Sequence, residues 1–382
     1  MFQNKRIEKK ETIRPKMQTS DYQKYPTKCG SIYSKRNGVK RELQLVSFAQ
    51  KKYLCSKQMP MLKAGVLGAG HLGKIHLKLL SQSEQYELVG FYDANTEAAQ
   101  AITSEFGYKA FPTMEALIEA SDVVDVVTPT IHHFSCAAQV VKAGKHLFIE
   151  KPITQTVAEA EELLSLAEKH QVKGQVGHVE RFNPAFMAVR DKIENPMFIE
   201  AHRLAEFNPR GTDVPVVLDL MIHDIDAILS VVNSEVKNVN ASGVSVISET
   251  PDIANARIEF ENGCVANLTA SRISMKKMRK ARFFQRDAYI SVDFLEKQCE
   301  VVKMKDAPQT PDDFAMILTN AEGVKKQIYF DNPEIDNNNA ILDELETFAD
   351  AINNDTTPVV TLQQGTNALK VAMQIIENFK ML

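Results

Sequence analysis

Lys63-Ala-Gly-Val-Leu67 runs directly into Gly68-Ala-Gly-His-Leu-Gly73, and the reading of this junction decides the fold. A short apolar run gives way to Gly-x-Gly-x-x-Gly, then to Leu72, Ile75, His76, Leu79 and Leu80 at helical spacing. That is the order strand, turn, helix. In such a junction Gly68 permits the tight turn, Gly70 lets the backbone approach a pyrophosphate, and Gly73 lets helix and strand pack closely. The helix N-terminus then turns unpaired N–H groups and a partial positive charge toward the phosphates. A second apolar run, Leu88-Val-Gly-Phe-Tyr92, is closed by Asp93, 20 residues after Gly73. A carboxylate there accepts hydrogen bonds from the adenosine ribose hydroxyls and repels a 2′-phosphate. Ala94, Asn95 and Thr96 follow, with no Arg or Lys. The expected cofactor is NAD rather than NADP, held by Gly68, Gly70, His71, Leu72, Gly73 and Asp93.

Working outward, the alternation continues. Helical stretches from Thr96, from Met114 to Ala120, near His133–Ala143 and over Val157–His170 separate Tyr108–Ala110, Val123–Val127, His146–Ile149 and Lys173–Val176. Strands alternating with helices of this length imply a doubly wound parallel sheet, here of six strands over about 61–180. After Arg181 the texture changes. Residues 184–194 read as a helix, 198–206 as a strand and 214–231 as a long apolar helix. Several strands then follow one another over 236–330 before two closing helices, about 338–352 and 362–380. Strands without intervening helices imply a mainly antiparallel sheet, hence an α+β second domain over 181–382.

The 382 residues suffice for two or three domains, and 44% hydrophobic with 25% charged is an ordinary globular balance. No run reaches the roughly 20 apolar residues of a membrane-spanning helix. Five scattered cysteines without Cys-x-x-Cys spacing speak against a disulfide framework or structural zinc, and for a reducing, cytoplasmic setting. Residues 1–60 stand apart, with 15 Lys and Arg against 4 Asp and Glu, whereas the rest carries 30 against 45. This basic segment reads as translation from a start upstream of Met59 or Met61, a disordered tail, a transit peptide or a nucleic-acid-binding arm. The acidic body is a poor nucleic-acid binder and points to a small-molecule partner.

A second constellation carries chemistry. Oxidising a secondary alcohol requires a base for the hydroxyl proton and a hydride acceptor in contact. Glu150-Lys-Pro152 follows the strand His146–Ile149, at the end where ligands bind in this fold. Pro152 fixes the turn, so the Lys151 ammonium can be aimed at a reacting oxygen. Asp219 and His223 lie four apart and project from one helix face, giving a base and a carboxylate to orient it. An Asp/His cluster also suits a metal, but Lys151 in the same pocket opposes a cation, so no metal is expected.

Gly68–Gly73, Thr128-Pro129 with His133, Ala143-Gly-Lys-His146, Glu150-Lys-Pro152 and Asp219-x-x-x-His223, in this order, resemble the glucose–fructose oxidoreductase/inositol dehydrogenase (Gfo/Idh/MocA) family. The resemblance runs from about Met61 to the C-terminus. It implies a Rossmann domain followed by a large open sheet for substrate and homo-oligomer contacts. It implies catalytic roles for Lys151, Asp219 and His223, and cofactor contacts for Thr128, Pro129, His133, Glu150 and Lys151. Gly177-His-Val-Glu-Arg-Phe-Asn-Pro184 is similar to members that oxidise the 3-hydroxyl of UDP-linked N-acetylhexosamines. Arg181 and Asn183 in that stretch, with Arg203 and Arg210, are then candidate substrate contacts, Arg203 and Arg210 as bidentate partners of a pyrophosphate. Equally, Arg181 and Arg203 can be buried arginines paired with Glu180 or Glu206. Lys276, Lys277, Arg279, Lys280 and Arg282 read as a solvated hairpin end or a phosphate contact. A sugar dehydrogenase is the leading expectation; an inositol-type polyol dehydrogenase, a bilin-reductase-like enzyme and a non-catalytic NAD(H)-binding regulator are the rivals.

Overall fold

The computed structural model describes residues 60–208, 214–309 and 316–381. The basic segment up to Met59 and the candidate Arg210 lie outside the described residues.

The first part alternates as expected: β1 (Leu62–Leu67), α1 (His71–Leu80), β2 (Tyr86–Tyr92), α2 (Thr96–Phe106), α3 (Met114–Ala120), β3 (Val123–Val126), α4 (His133–Lys142), β4 (His146–Glu150), α5 (Val157–His170) and β5 (Gly174–Gly177). Local signals start these helices where they start. Asn95 caps α2 and Thr113 caps α3, while Thr156 and Glu159 form a capping box on α5. The strands form a parallel sheet in the order β2-β1-β3-β4-β5. The order reverses between β1 and β3, which opens a crevice at their carboxyl ends.

The expected sixth strand is not formed. Ala110 makes a single parallel bridge to Phe91, with Phe91 N–H donating to Lys109 and Phe111 N–H donating to Phe91. Gly107 in the left-handed region ends α2 just before it, and Pro112, lacking an N–H, stops the ladder just after.

The remainder begins with the short α6 (Pro184–Met187) and a 3-10 turn at Arg190–Lys192, where one helix was expected. β6 (Phe198–Leu204) leads to a π-turn at Val217–Met221 and α7 (Ile222–Leu229), in place of the expected long helix. There follow β7 (Val236–Val244), β8 (Ile253–Phe260), β9 (Val265–Ser271), β10 (Met278–Gln285), β11 (Ala288–Asp293), β12 (Gln298–Asp306), β13 (Met316–Thr319), β14 (Lys325–Asp331), α8 (Ala340–Asn353), α9 (Leu362–Glu377) and β15 (Phe379–Met381). β6 to β15 form one sheet in the order 13-14-12-11-10-6-9-8-7-15. It is antiparallel except at β6–β9 and β7–β15.

Each sheet buries its apolar face in its own way. Val124 and Val126 of β3 and Leu147 and Ile149 of β4 pack with α4 and α5, whereas Val123 and Phe148 pack on the other face with α1 and α8. α8 contributes Leu345, Phe348 and Ala349 to that second core, with Phe148 and Phe348 rings 6.2 Å apart. In the large sheet, Ile199, Ala201, Ala281 and Phe283 meet Ile222, Ile225 and Ile228 of α7. α7 is thereby clamped over the sheet, with its N-terminal end near the carboxyl ends of β4 and β5.

Candidate active site

The glycine turn is built as its spacing demands. Gly68 has φ +92°, and a Cβ there would come within 2.8 Å of the Val127 carbonyl oxygen. A Cβ on Gly73 would collide with the Gly68 carbonyl oxygen, so only glycine lets α1 lie this close to β1. Gly70 caps α1 without a side chain, and nothing lies within 4 Å of where its Cβ would be. His71 is exposed and Leu72 half-buried in the first turn. At the end of β2, Asp93 accepts from Ala69 N–H at 2.8 Å and from Asn95 N–H at 2.9 Å. That ties the ribose-side carboxylate to the phosphate-side loop. Across the crevice, Pro129 is exposed, and Thr128 holds a buried hydroxyl with no partner. The open space at Gly70, the uncapped N-terminus and the orphan Thr128 Oγ1 fit a dinucleotide.

Glu150, Lys151 and Pro152 leave the end of β4 beside β5, Glu150 pairing in register with Gly177. The Lys151 ammonium crosses to the π-turn, where it donates to the Asp219 carbonyl oxygen at 2.8 Å and lies 3.9 Å from Asp219 Oδ1. π-turns recur at functional sites. Burial holds the Lys151 amine below its ordinary pKa, with Asp219 and Glu150 opposing and Arg203 and Arg279 assisting. His223, in the first turn of α7, has a buried Nδ1 with no partner. Burial, then the charges of Lys151, Arg203, His178 and Arg279, hold it well below the ordinary histidine value. The imidazole is therefore neutral at pH 7. Asp219 does not hydrogen-bond His223 as expected; Lys151 reaches the π-turn first and takes Asp219 as its own support.

The structure places three of the candidate substrate contacts in buried pairs, the reading that the sequence left equally open for Arg181 and Arg203. Arg181 donates to both carboxylate oxygens of Asp226, at 2.7 and 2.9 Å. Arg203 grips Asp224 with Nε and Nη2 and Glu180 with Nη1, at 2.8–2.9 Å. Asn183 caps α6 through Ala185 N–H and donates to Glu180 and to the Phe294 carbonyl. All three side chains are buried and make these hydrogen bonds within the protein. His133 is likewise a strut: its ring nitrogens lie 2.8 Å from the Pro152 and Thr128 carbonyls, joining the two crevice turns. Glu150 turns inward, 3.4 Å from His76 Nε2, and accepts the Lys151 backbone N–H at 3.1 Å.

A family model for the oxidoreductase family with the NAD-binding Rossmann fold matches residues 62–178, and the GFO/IDH/MocA C-terminal domain model matches 173–291. The chain belongs to the Gfo/Idh/MocA family. It is an NAD-dependent oxidoreductase acting on CH–OH groups. UDP-N-acetylglucosamine 3-dehydrogenase of Acidithiobacillus ferrooxidans is 39% identical over 241 residues, 63% of this chain and 76% of that protein. Inositol 2-dehydrogenase of Rhizobium meliloti is 31% identical over 199 residues, 49% and 60% of the two chains. A solved structure of the Acidithiobacillus enzyme superposes with TM-score 0.75 at 32% identity, covering 84% of this chain and 98% of that one. At the level of fold alone, scyllo-inositol dehydrogenase of Lactobacillus casei, solved with NAD(H) and scyllo-inositol, gives 0.67 at 21% identity over 84% and 97%.

Within this Gfo/Idh/MocA frame, sequence reasoning missed His178. It follows β5 as Lys151 follows β4, is buried, and has both ring nitrogens unpartnered, with Nδ1 3.9 Å from Asp226. The quoted Gly177-His178 pair was the available signal. It also missed the polar layer beneath the lysine turn. His76 Nδ1 lies 2.8 Å from Asp125, and His76, Glu150 and Glu344 bring one ligand atom each within 4.8 Å of one another. Burial would lower the His76 pKa, but Asp125 and Glu150 outweigh it and hold the ring well above its ordinary value. Burial and the neighbouring Glu150 raise Glu344 well above the carboxylate range, so it is the protonated member. No sequence spacing announces Glu344, which arrives from α8.

Proposed function

We propose that this dehydrogenase oxidises the 3-hydroxyl of a nucleotide-linked N-acetylhexosamine, of the kind named by its Acidithiobacillus relative. The observation that carries the reading is the convergence of the Lys151 ammonium on the Asp219 carbonyl beside a neutral His223 with an unpartnered ring nitrogen, at the mouth of the dinucleotide crevice. Bound NAD supplies the hydride acceptor. His223 takes the hydroxyl proton, which a neutral imidazole can do and an imidazolium cannot. Lys151 donates a hydrogen bond to the same oxygen and stabilises the negative charge that develops on it. The Asp219 carbonyl and carboxylate hold the ammonium in place for that contact. Thr128 and the glycine turn position the cofactor halves, with His133 bracing the two loops.

The reading includes a homo-oligomer formed through the outer face of the large sheet, where Phe198, Phe284 and Tyr289 cluster with ring centroids 5.2–5.9 Å apart. It also includes a cytoplasmic setting, in which the free thiols of Cys136, Cys264 and Cys299 stay reduced. Among the described residues, no helix is long and apolar enough to cross a membrane. Incubation with NAD and a panel of UDP-sugars, sugar phosphates and free polyols, following NADH absorbance and product mass, tests the substrate. A UDP-N-acetylhexosamine product two mass units lighter is expected. Turnover of inositols alone would replace this reading with the polyol one, and light scattering reads the assembly.

A further inference from the structure

Resting on the sugar-dehydrogenase reading, we propose that Arg279 is the subsite for the phosphoryl group of the substrate. Its guanidinium stands at the mouth of the site and binds the diphosphate of a nucleotide sugar.

Strand alternation places it there. On β10, Phe283 and Ala281 face inward and are buried under α7; Arg279, two residues further, continues that row beyond the packed core. Its register partner on β6 is Arg203, whose donors are already committed to Asp224 and Glu180. Arg279 has only a loose hold there, Nη1 lying 3.8 Å from a Glu180 oxygen that Arg203 occupies at 2.8 Å, and its side chain is 50% exposed. Its charge nevertheless reaches the catalytic pair, since it depresses both Lys151 and His223.

The other basic residues of this stretch are turned elsewhere. Lys280 pairs with Asp293 at 2.9 Å and Arg282 with Glu200 at 3.3 Å, both from the alternate row of β10. Lys277 reaches Glu206 at 3.6 Å, and Lys276 is exposed in the preceding turn. With Arg181 and Arg203 locked in buried pairs, Arg279 is, among the described residues, the guanidinium that combines exposure with the inward row. Its planar fork matches two phosphate oxygens at once, which an ammonium does not. A phosphoryl group could equally arrive on a sugar monophosphate, and the two sources share this chemistry.

The test compares the wild type with Arg279→Gln and Arg279→Lys, using UDP as a binding probe and UDP-N-acetylglucosamine and glucose 6-phosphate as substrates. Losing one charge-assisted contact should raise the UDP Kd and the KM for UDP-N-acetylglucosamine about 10–100-fold in the glutamine variant. The lysine variant keeps the charge beside Glu180 but loses the fork, and should weaken UDP about 3–10-fold. NAD affinity should stay within about twofold and the melting temperature near that of the wild type in both, showing that the fold and the cofactor crevice are intact. If the wild type oxidises UDP-N-acetylglucosamine but neither variant changes UDP binding or KM, the subsite is wrong and the function stands. If only the glucose 6-phosphate KM moves, the phosphoryl subsite stands and the nucleotide diphosphate is overturned as its occupant. If the wild type binds neither UDP nor a sugar phosphate, both inference and function reading fail.

Discussion

Replacing Gly70 and, separately, Gly73 by alanine should pull cofactor binding and stability apart. Gly70 has φ −64° and ψ −159°, extended backbone that alanine adopts, and its new Cβ would meet nothing within 4 Å. The fold should not suffer; restricting the unfolded chain should even stabilise it by about 0.4–1 kcal/mol. The empty volume is, however, the approach of the pyrophosphate to the α1 N-terminus. A methyl group that displaces one charge-assisted hydrogen bond, about 1.5–3 kcal/mol, raises the NAD Kd roughly 10–150-fold. Gly73→Ala differs because its Cβ runs into the Gly68 carbonyl, backbone against backbone, and neither side can rotate away. α1 must move off β1, at about 1–3 kcal/mol of stability, and its N-terminus moves with it. Thermal melts without cofactor, paired with NAD titration by calorimetry, read the two quantities. An unchanged NAD Kd in Gly70→Ala would refute the cradle, and a wild-type melting temperature in Gly73→Ala would refute the close packing.

Lys151→Ala and His223→Ala should each lose about 10²–10⁴ in the single-turnover rate with NAD affinity nearly unchanged; full activity in both variants would sink the proposed chemistry. Asp219→Asn retains the carbonyl that holds Lys151 and should lose about tenfold or less, whereas a loss matching Lys151→Ala would mean that the carboxylate itself reacts. The wild type should bind NAD at least about tenfold tighter than NADP, a difference of about 1.4 kcal/mol, and Asp93→Ser with Ala94→Arg should erode it; equal titration curves for the unmodified protein would reject the role of Asp93. Glu344 is raised well above its unfolded value by burial and Glu150, so the native state keeps a proton that the unfolded chain releases. Its contribution is full below about pH 4.3 and falls by about 1.4 kcal/mol per pH unit as pH rises toward the folded value. Glu344→Gln should lack that slope in urea unfolding, and parallel pH profiles for the two proteins would show that Glu344 ionises freely.

The parallel sheet was legible because each of its signals is local. Three glycines, a closing aspartate and capping residues such as Thr156 lie within a few positions of the elements that they define. The errors fell where a distant contact decides. Tyr108–Ala110 has strand-like residues, yet Gly107 and Pro112 leave room for a single bridge. The apolar stretch over 214–231 has helical periodicity, which does not distinguish an α-turn from the π-turn that carries Asp219 to Lys151. β10 is rich in Lys and Arg and reads as a solvated turn, although alternate residues Ala281 and Phe283 are fully packed. That α8 returns to cover the parallel sheet rests on Phe348 meeting Phe148, 200 residues earlier, and no local pattern contains that fact.

The site divides along the same line. Lys151, Asp219 and His223 could be proposed because strand ends and helix spacing are visible in a sequence, and so could the Arg203–Glu180 pair that the structure forms; Asp226 and Asp224, which take Arg181 and Arg203 from 45 and 21 residues away, could not. Asp224 and Asp226 follow His223 on α7, and their arginines bind that helix to β6 and to the turn after β5. Buried pairs of this kind gain little net stability against desolvation, and breaking one costs about 3–5 kcal/mol, so they act as rigid scaffolding. Their charges do not cancel at the imidazole: Arg203 adds to Lys151 and Arg279 in opposing a proton on His223. A base that must be neutral before it can accept a substrate proton is thus held neutral by burial and, after Lys151, by Arg203, which the sequence left open between a substrate contact and a buried pair. It follows that Arg203→Met, with its pairs to Asp224 and Glu180 removed, should both destabilise the protein and move the acidic limb of the kcat/KM profile upward as His223 becomes easier to protonate. A variant that lost stability with an unshifted acidic limb would confine Arg203 to the scaffold.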